Sequence, residues 1–198
     1  MSHKNTLIVG IGGAGANFIN GLSPDSVRVG SSLLTITSNV DTVEESAGKV
    51  IYLEDATLNP LGNGSNGSPE IGRILAEVHL EKIMQEFAPY KRIIFVAGFG
   101  GGTGSGVTPY LVEEAMKQGN DVHCAIFMPF TFEGRKRDII ANEALLACKA
   151  TNAHRYIFNN QDLFAMSDDN TTFSEAFRIA DKALYKWADG MLTAEVCV

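Results

Sequence analysis

The sequence predicts an α/β fold in which a mostly parallel sheet carries helices on both faces. Short apolar runs typical of buried strands alternate along the chain with helical patterns, and glycine-rich turns follow the first and fourth strands. Such alternation gives parallel strands joined by right-handed crossovers. Because no repeat or linker interrupts it, we expect residues 1–198 to form a single domain that ends in a long helix.

The first part of the chain contains three predicted strands and a long loop. An apolar run at 6–9 ends in glycines and predicts a buried strand, and a helix follows over 14–22. Two further strands are predicted over 32–37 and 49–53, where apolar and β-branched residues dominate. The loop over 54–68 is rich in Gly, Asn and Ser, and a loop of this length inside a compact domain is usually functional.

The next helical segment begins at Pro69, with Ser68 as its predicted N-cap. Its apolar stripe stops near His79 and resumes on nearly the opposite face, which predicts two short helices or a sharp kink. The remaining sequence continues the alternation of strands and helices. Strands are predicted over 93–97, 122–128 and 156–158, and helices over 108–118, 133–150 and 172–192.

Together these elements describe a Rossmann-like three-layer domain. In sheets of this kind, ligands bind at the carboxyl ends of the strands. Every glycine-rich loop identified in the sequence lies at that edge, which is therefore the predicted site.

Composition excludes several classes of function. The formal net charge is −7, and an acidic chain lacks the basic face that nucleic-acid binding requires, so we expect no nucleic-acid partner. No apolar run reaches the roughly 20 residues of a membrane span, and the first strand follows Met1 too closely for a signal peptide. The three cysteines are scattered without metal-ligand spacing, which favours a reduced, cytoplasmic protein and predicts no protein-held metal.

The first glycine-rich loop, from Gly10 to Gly15, matches GxGxxG between a strand and a helix. Its glycines allow a tight turn that brings backbone N–H groups near a phosphate at a helix N-terminus. Alone, this motif fits a dinucleotide-binding oxidoreductase equally well.

A second glycine-rich loop decides between these interpretations. Six of the nine residues from Gly98 to Gly106 are glycine, although each costs ~1 kcal/mol relative to Ala inside a helix. We interpret the loop as a concave nest of backbone N–H groups for an anion, with the Thr103 and Ser105 hydroxyls as further donors. The alternative, a flexible surface loop, is disfavoured by its position between a buried strand and a helix. A dinucleotide oxidoreductase has no use for a second phosphate nest there.

These motifs resemble, in order, those of the tubulin/FtsZ superfamily. The run from Gly100 to Gly106 is similar to the family signature GGGTG(S/T)G, and Gly10 to Asn17 resembles the first phosphate loop of FtsZ. Residues 39–41 resemble the Asn-Thr-Asp segment, 62–73 resemble the loop that senses the γ-phosphate, and 129–137 are similar to PF-x-FEG-x-KR. The resemblance covers essentially the whole chain and is closer to FtsZ than to eukaryotic tubulin.

The resemblance implies a site for guanine nucleotide, GTP or GDP. Glu133 would accept hydrogen bonds from the ribose hydroxyls, and Arg137 would be a cationic donor beside the nucleotide. Asn160 would contact the guanine edge, although its neighbours differ from the Pro-Asn-Asp usual in FtsZ. Phe177 would stack on the base, and Asp181 would accept from its N1–H and exocyclic amine, which selects guanine over adenine. The other residues assigned to nucleotide binding are Gly12, Gly13, Ala14, Asn17, Asn39, Gly64, Ser65, Gly100, Gly101, Gly102, Thr103, Gly104 and Ser105.

The resemblance also bears on hydrolysis. In the family, the long central helix leads to a loop with catalytic acidic residues, which enters the nucleotide site of the next subunit, and then to a second domain. The sequence ends at Val198, shortly after the predicted end of that helix, so we expect neither feature and assign no catalytic residue. An Mg²⁺ ion bridging the phosphates is expected from the chemistry of nucleoside triphosphates, without a dedicated protein cage.

Four functional hypotheses follow. The leading one is a GTP/GDP-binding module of a cytoskeletal, FtsZ-like protein with little hydrolysis by itself. The second is a module that associates with its own copies or caps filaments of a full-length relative. The third is a truncated form of a conventional polymerising cell-division GTPase. The fourth is an NAD(P)-binding oxidoreductase, which explains the first glycine-rich loop but not the second.

Overall fold

The structure, a computed structural model, describes residues 4–22, 31–46, 48–165, 172, 175, 182 and 185–187. The strands are β1 Lys4–Ile11, β2 Ser31–Thr37, β3 Lys49–Tyr52, β4 Tyr90–Gly98, β5 Asp121–Met128 and β6 His154–Asn159. The helices are α1 Gly12–Gly21, α2 Val40–Glu45, α3 Pro69–Val78, α4 Leu80–Phe87, α5 Gly102–Lys117, α6 Arg135–Lys149 and α7 Asn160–Ala165. A 3₁₀ turn at Thr131–Glu133 precedes α6.

The strands form one six-stranded sheet in the order β3-β2-β1-β4-β5-β6, and every neighbouring pair is parallel. The chain moves outward from β1 to β3 on one side, then returns to place β4 against the other side of β1. Gly10 pairs with Val96 and Ile11 with Ala97, so the carboxyl ends of β1 and β4 lie side by side. This is the switch point at which sheets of this class bind ligands.

Buried residues cover both faces of the sheet, as the strand sequences predict. Along β4, Ile93 and Phe95 face a large apolar cluster that also contains side chains of α3, α4, α5 and α6. Ile94 and Val96 face a smaller cluster that contains Phe18 of α1, against which Tyr185 and Trp187 pack. Alternate residues of one strand therefore enter opposite clusters, which gives the predicted three layers and confirms the α/β fold.

Most predicted elements are present. All six predicted strands exist, and α3 and α4 separate at His79 as expected. The hydroxyl of Ser68 accepts a hydrogen bond from the Ile71 N–H at 3.4 Å, so the predicted N-cap is confirmed. Helices α2 and α7 were not predicted. The predicted helix over 172–192 lies largely outside the described residues. Within it, the described residues 175, 182 and 185–187 are helical. None of the described helices is both long and apolar enough to cross a membrane.

The second glycine-rich loop differs from the prediction. Helix α5 begins at Gly102, six residues before the predicted start, so much of the expected loop is helix. The reason is tertiary packing: a Cβ on Gly104 would lie 2.1 Å from the Gly98 carbonyl oxygen, and one on Gly106 would lie 2.0 Å from that of Pro69. Glycine allows α5 to approach the end of β4 and the start of α3 more closely than any other residue permits. This close approach outweighs the poor helix propensity of glycine.

Candidate functional site

A cleft of about 430 Å³ opens at the carboxyl ends of β1, β4 and β5. Its volume is typical of small-molecule sites. The predicted site residues that line it are Gly12, Gly13, Ala14, Asn17, Gly101, Gly102, Thr103, Gly104, Glu133, Arg137 and Asn160. The remaining lining residues, which were not assigned to nucleotide binding, are Ile11, Gly98, Phe99, Phe127, Met128 and Pro129.

A larger groove of about 1200 Å³ lies on another side of the molecule, between α3, α5 and α6. Both acidic and basic side chains line this groove, among them Arg73, Glu77 and Lys117. Neither the first glycine-rich loop nor the segment 129–137 reaches this groove. The smaller cleft is therefore the candidate site, because it is where the separate motifs meet.

Two helix N-termini form the floor of the cleft. The first turns of α1 and α5 have no side-chain cap, so their backbone N–H groups are available to a ligand. Both helix dipoles place partial positive charge there, which favours an anion. A Cβ added at Gly13 or Gly101 would meet no heavy atom within 4 Å, so the space above these N–H groups is open. The arrangement fits a phosphate chain lying across both helix starts.

Three hydroxyl groups join the loops beside this floor. Thr103 Oγ1 lies 2.7 Å from Ser38 Oγ and 2.8 Å from Ser65 Oγ, and the two serine oxygens are 3.3 Å apart. The Ser38 carbonyl also accepts hydrogen bonds from Gly64 N–H at 3.0 Å and from the Asn59 side-chain amide at 2.6 Å. This hydroxyl triad connects the end of β2, the loop over 54–68 and helix α5. The sequence motifs did not identify Ser38. The only feature of the sequence that could have indicated it is its position as a polar residue directly after the buried strand β2.

Replacing Thr103 by Val should remove two of the three contacts in the hydroxyl triad while keeping the side-chain shape. We expect a loss of about 1–2 kcal/mol in the free energy of unfolding, since buried Ser38 and Ser65 lose their best partner. Thermal denaturation followed by circular dichroism measures this loss. Thr103→Ser keeps the hydroxyl and should recover most of the stability; equal stabilities for the Val and Ser variants would contradict the role of the triad.

Glu133 and Arg137 lie at the cleft wall that follows β5. Glu133 Oε1 accepts from the Phe130 N–H at 2.8 Å, and Oε2 accepts from Arg137 Nη1 at 2.5 Å. Gly134 has a φ of +97°, which lets the chain turn between the 3₁₀ turn and α6 so that these two side chains meet. The carboxylate is therefore held in one orientation at the cleft, as a strong acceptor for hydroxyl groups.

Asn160, the first residue of α7, is buried at the far end of the cleft. Its Oδ1 has no hydrogen-bond partner among the described residues, which leaves one buried acceptor for a ligand. The neighbouring residues that depart from the family pattern have structural roles. Asn159 Oδ1 accepts from the Gln161 N–H at 3.2 Å, and Gln161 Oε1 accepts from the Thr131 hydroxyl at 2.9 Å.

Some residues predicted to bind nucleotide do not line the cleft, and two of them have clear local roles. Asn39 Oδ1 accepts from the Asp41 N–H at 2.8 Å and is the N-cap of α2. Ser105 Oγ accepts from the Gly100 N–H at 2.8 Å, so its buried hydroxyl holds the turn before α5 together. The others of this group are Gly64, Ser65 and Gly100. Phe177 and Asp181 lie outside the described residues.

Cys124 and Cys148 are free thiols in the core. Burial raises the pKa of both thiols, to about 12 for Cys148. Both are therefore protonated near neutral pH and carry no thiolate chemistry. Cys197 lies outside the described residues.

Comparison with known proteins agrees with this geometry. Residues 5–168 match the family model described as "Tubulin/FtsZ family, GTPase domain". Cell division protein FtsZ 2 of Rhizobium meliloti (strain 1021) is 32% identical over 178 residues, which are 90% of this chain and 51% of the relative. Cell division protein FtsZ of Magnetospirillum gryphiswaldense is 32% identical over 185 residues, which are 93% of this chain and 32% of the relative. The chain thus spans about half or less of the length of these relatives.

Solved structures give the same result for the fold. An FtsZ dimer from M. jannaschii superposes with a TM-score of 0.86 at 28% identity, covering 94% of this chain and 54% of that one. CetZ2 from Haloferax volcanii, solved as a GTPγS-bound protofilament, superposes with a TM-score of 0.84 at 20% identity, covering 96% of this chain and 58% of that one. The second likeness concerns the fold alone.

Proposed function

This chain belongs to the Tubulin/FtsZ family, and from that premise we propose that its cleft binds the guanine nucleotides GTP and GDP. The observation that carries the proposal is the pair of uncapped helix N-termini at the cleft floor, with open space above Gly13 and Gly101. A polyphosphate chain can place one phosphate group at each helix N-terminus, whereas a single anion would occupy only one of them. An oxidoreductase is not supported, since the family match accounts for both glycine-rich loops.

The three parts of the nucleotide are assigned to different elements. The phosphates lie on the first turns of α1 and α5, and the ribose hydroxyls donate to the oriented carboxylate of Glu133. The base lies at the buried, unpartnered Oδ1 of Asn160. By resemblance to the family motif, Phe177 would stack on the base and Asp181 would accept from the two guanine donors. A bound Mg²⁺ ion would neutralise part of the charge of the phosphates.

We propose that the 198-residue polypeptide hydrolyses GTP slowly by itself. The acidic residue that lines the described cleft is Glu133, and both of its oxygens already accept hydrogen bonds from Phe130 and Arg137. Phosphoryl transfer depends on positioning the attacking water. A carboxylate from a second subunit, docked on the nucleotide edge, would supply that positioning.

The partner proposed for this edge is an FtsZ-like subunit, either a second copy or a full-length relative. Support comes from the solved structure of the M. jannaschii FtsZ, which is a dimer. A head-to-tail polymer needs two complementary faces, so a subunit that offers only one would cap a filament end. Sedimentation of a full-length FtsZ with substoichiometric amounts of this chain tests the proposal: less polymer supports capping, and an unchanged yield contradicts it.

Binding selectivity tests the assignment of the cleft. Displacement of a fluorescent GDP analogue by GDP, GTP, ADP and ATP should show a preference for guanine of about 100-fold, equivalent to about 2.7 kcal/mol. Glu133→Gln should weaken GDP binding about 10-fold, because the ribose hydroxyls lose a charged acceptor. Glu143→Gln, an exposed change on the following helix α6, is the matched control and should bind as the unaltered chain does. Equal affinities for GDP and ADP would contradict the guanine assignment.

A further inference from the structure

Three metal-ligating side chains meet at the edge of the sheet opposite the cleft. Asp121 and His123 are two residues apart on β5, so their side chains share one face of the sheet. His154 is the direct partner of His123 on the neighbouring strand β6. One ligand atom from each of the three residues lies within 4.8 Å of the others.

The contacts within this cluster hold the carboxylate in place. Asp121 Oδ2 accepts from Arg92 Nε at 2.7 Å, and Asp121 Oδ1 lies 3.2 Å from His123 Nε2. The imidazole rings of His123 and His154 are stacked with their centroids 4.7 Å apart. One carboxylate oxygen and two imidazoles thus lie close together, and Arg92 holds the other carboxylate oxygen.

His123 is the unusual member of the cluster. It is only 6% exposed, and its Nδ1 has no hydrogen-bond partner within the described part of the chain, while Nε2 faces Asp121 Oδ1. A buried ring nitrogen without a partner costs free energy, and a bound ion would satisfy it.

We propose that Asp121, His123 and His154 bind one divalent transition-metal ion, with Zn²⁺ as the preferred occupant. Two imidazole nitrogens and one carboxylate oxygen suit Zn²⁺ and Co²⁺ better than Mg²⁺ or Ca²⁺, which favour oxygen ligands. Three protein ligands also leave a fourth tetrahedral position for water. Ligand atoms must lie about 2.0–2.2 Å from zinc, so binding requires the exposed His154 side chain to move toward the other two ligands.

The metal site is separate from the proposed nucleotide site. His123 precedes Met128, which lines the cleft, by five residues along β5. At a rise of about 3.3 Å per residue, the two positions are roughly 16 Å apart. The ion would bridge β5 to β6, and β6 is the edge strand of the sheet. Metal binding should therefore stabilise that edge without requiring nucleotide.

Calorimetric titration of the untagged, metal-free full chain with ZnSO₄, in the absence of nucleotide, tests the proposal. We expect one Zn²⁺ per chain with a micromolar or lower Kd, and a higher melting temperature with zinc. His154→Ala changes an exposed side chain, so the fold should survive while affinity falls at least 100-fold. His79→Ala removes a described histidine that does not belong to the cluster, and this variant should bind zinc as the unaltered chain does.

Two further measurements identify the ligands. Asp121→Asn should weaken Zn²⁺ binding at least 10-fold, and Co²⁺ should give visible d–d absorption in the unaltered chain but not in His154→Ala. Nitrogen chemical shifts of the imidazoles, measured by NMR, should move for His123 and His154 and stay unchanged for His79. Equal zinc affinity in the unaltered chain and His154→Ala, or zinc uptake only in the presence of GTP, would overturn the proposal.

Discussion

Replacing Gly104 by Ala is expected to lower the melting temperature of the chain by about 6–12 °C, or to prevent folding. The added Cβ would lie 2.1 Å from the carbonyl oxygen of Gly98, the last residue of β4. This atom is backbone and belongs to the central part of the sheet, so no flexible side chain can give way. Overpacking against such a group costs about 3 kcal/mol or more, and each kcal/mol corresponds to about 2–4 °C in a chain of this size.

Gly101→Ala is the matched control for stability. Gly101 precedes Gly104 by three residues in the same glycine-rich run, and its φ of −99° and ψ of 169° suit any residue. Because a Cβ at this position meets no heavy atom within 4 Å, the melting temperature of the Gly101→Ala variant without nucleotide should stay close to that of the unaltered chain. Similar melting temperatures for Gly104→Ala and Gly101→Ala would contradict the close approach of α5 to β4.

Gly101→Ala is also the variant expected to lose the most nucleotide affinity while keeping the fold. The open space above Gly101 lies in the cleft, where the proposal places phosphate oxygens on backbone N–H groups. A methyl group there would hold the phosphate away from those donors. Each charged hydrogen bond contributes about 1.5–3 kcal/mol, so we expect GDP binding to weaken about 100-fold.

Calorimetric titration with GDP measures this effect, with Glu143→Gln again as the control. Gly13→Ala, at the start of the other helix, should behave in the same way, because its Cβ position is equally open and lines the same cleft. Unchanged GDP affinity in both glycine variants would show that the phosphates do not lie across these helix starts.

The strands were predicted well from sequence because a sheet buried on both faces demands continuous apolar runs. The segments 93–97 and 122–128 are such runs, and they make up most of β4 and β5. Helices α2 and α7 have six residues each, too few for a helical period to show. The start of α5 was not predicted because its glycines are required by close packing against β4 and α3. These tertiary contacts cannot be read from the local sequence.

The same distinction between local patterns and long-range contacts applies to the candidate site. Residues within local motifs, such as Gly101 and Glu133, were identified and line the cleft. Ser38 was missed because its partner Thr103 is 65 residues away, and no local pattern encodes that contact. Asn39 lies within a matching motif, but its side chain caps α2 instead of lining the cleft. Sequence therefore predicts which loops form the site better than what each side chain does there.

The measurement that tests the central claim most directly is identification of the nucleotide that the chain carries. The purified chain is denatured and the released nucleotide is identified by chromatography; fresh protein is then given GTP, and phosphate release is followed. We expect GDP or GTP at about one per chain, or uptake of added GTP to that level, with slow turnover. Absence of guanine nucleotide together with no uptake of added GTP would contradict the claim that the cleft is a guanine-nucleotide site.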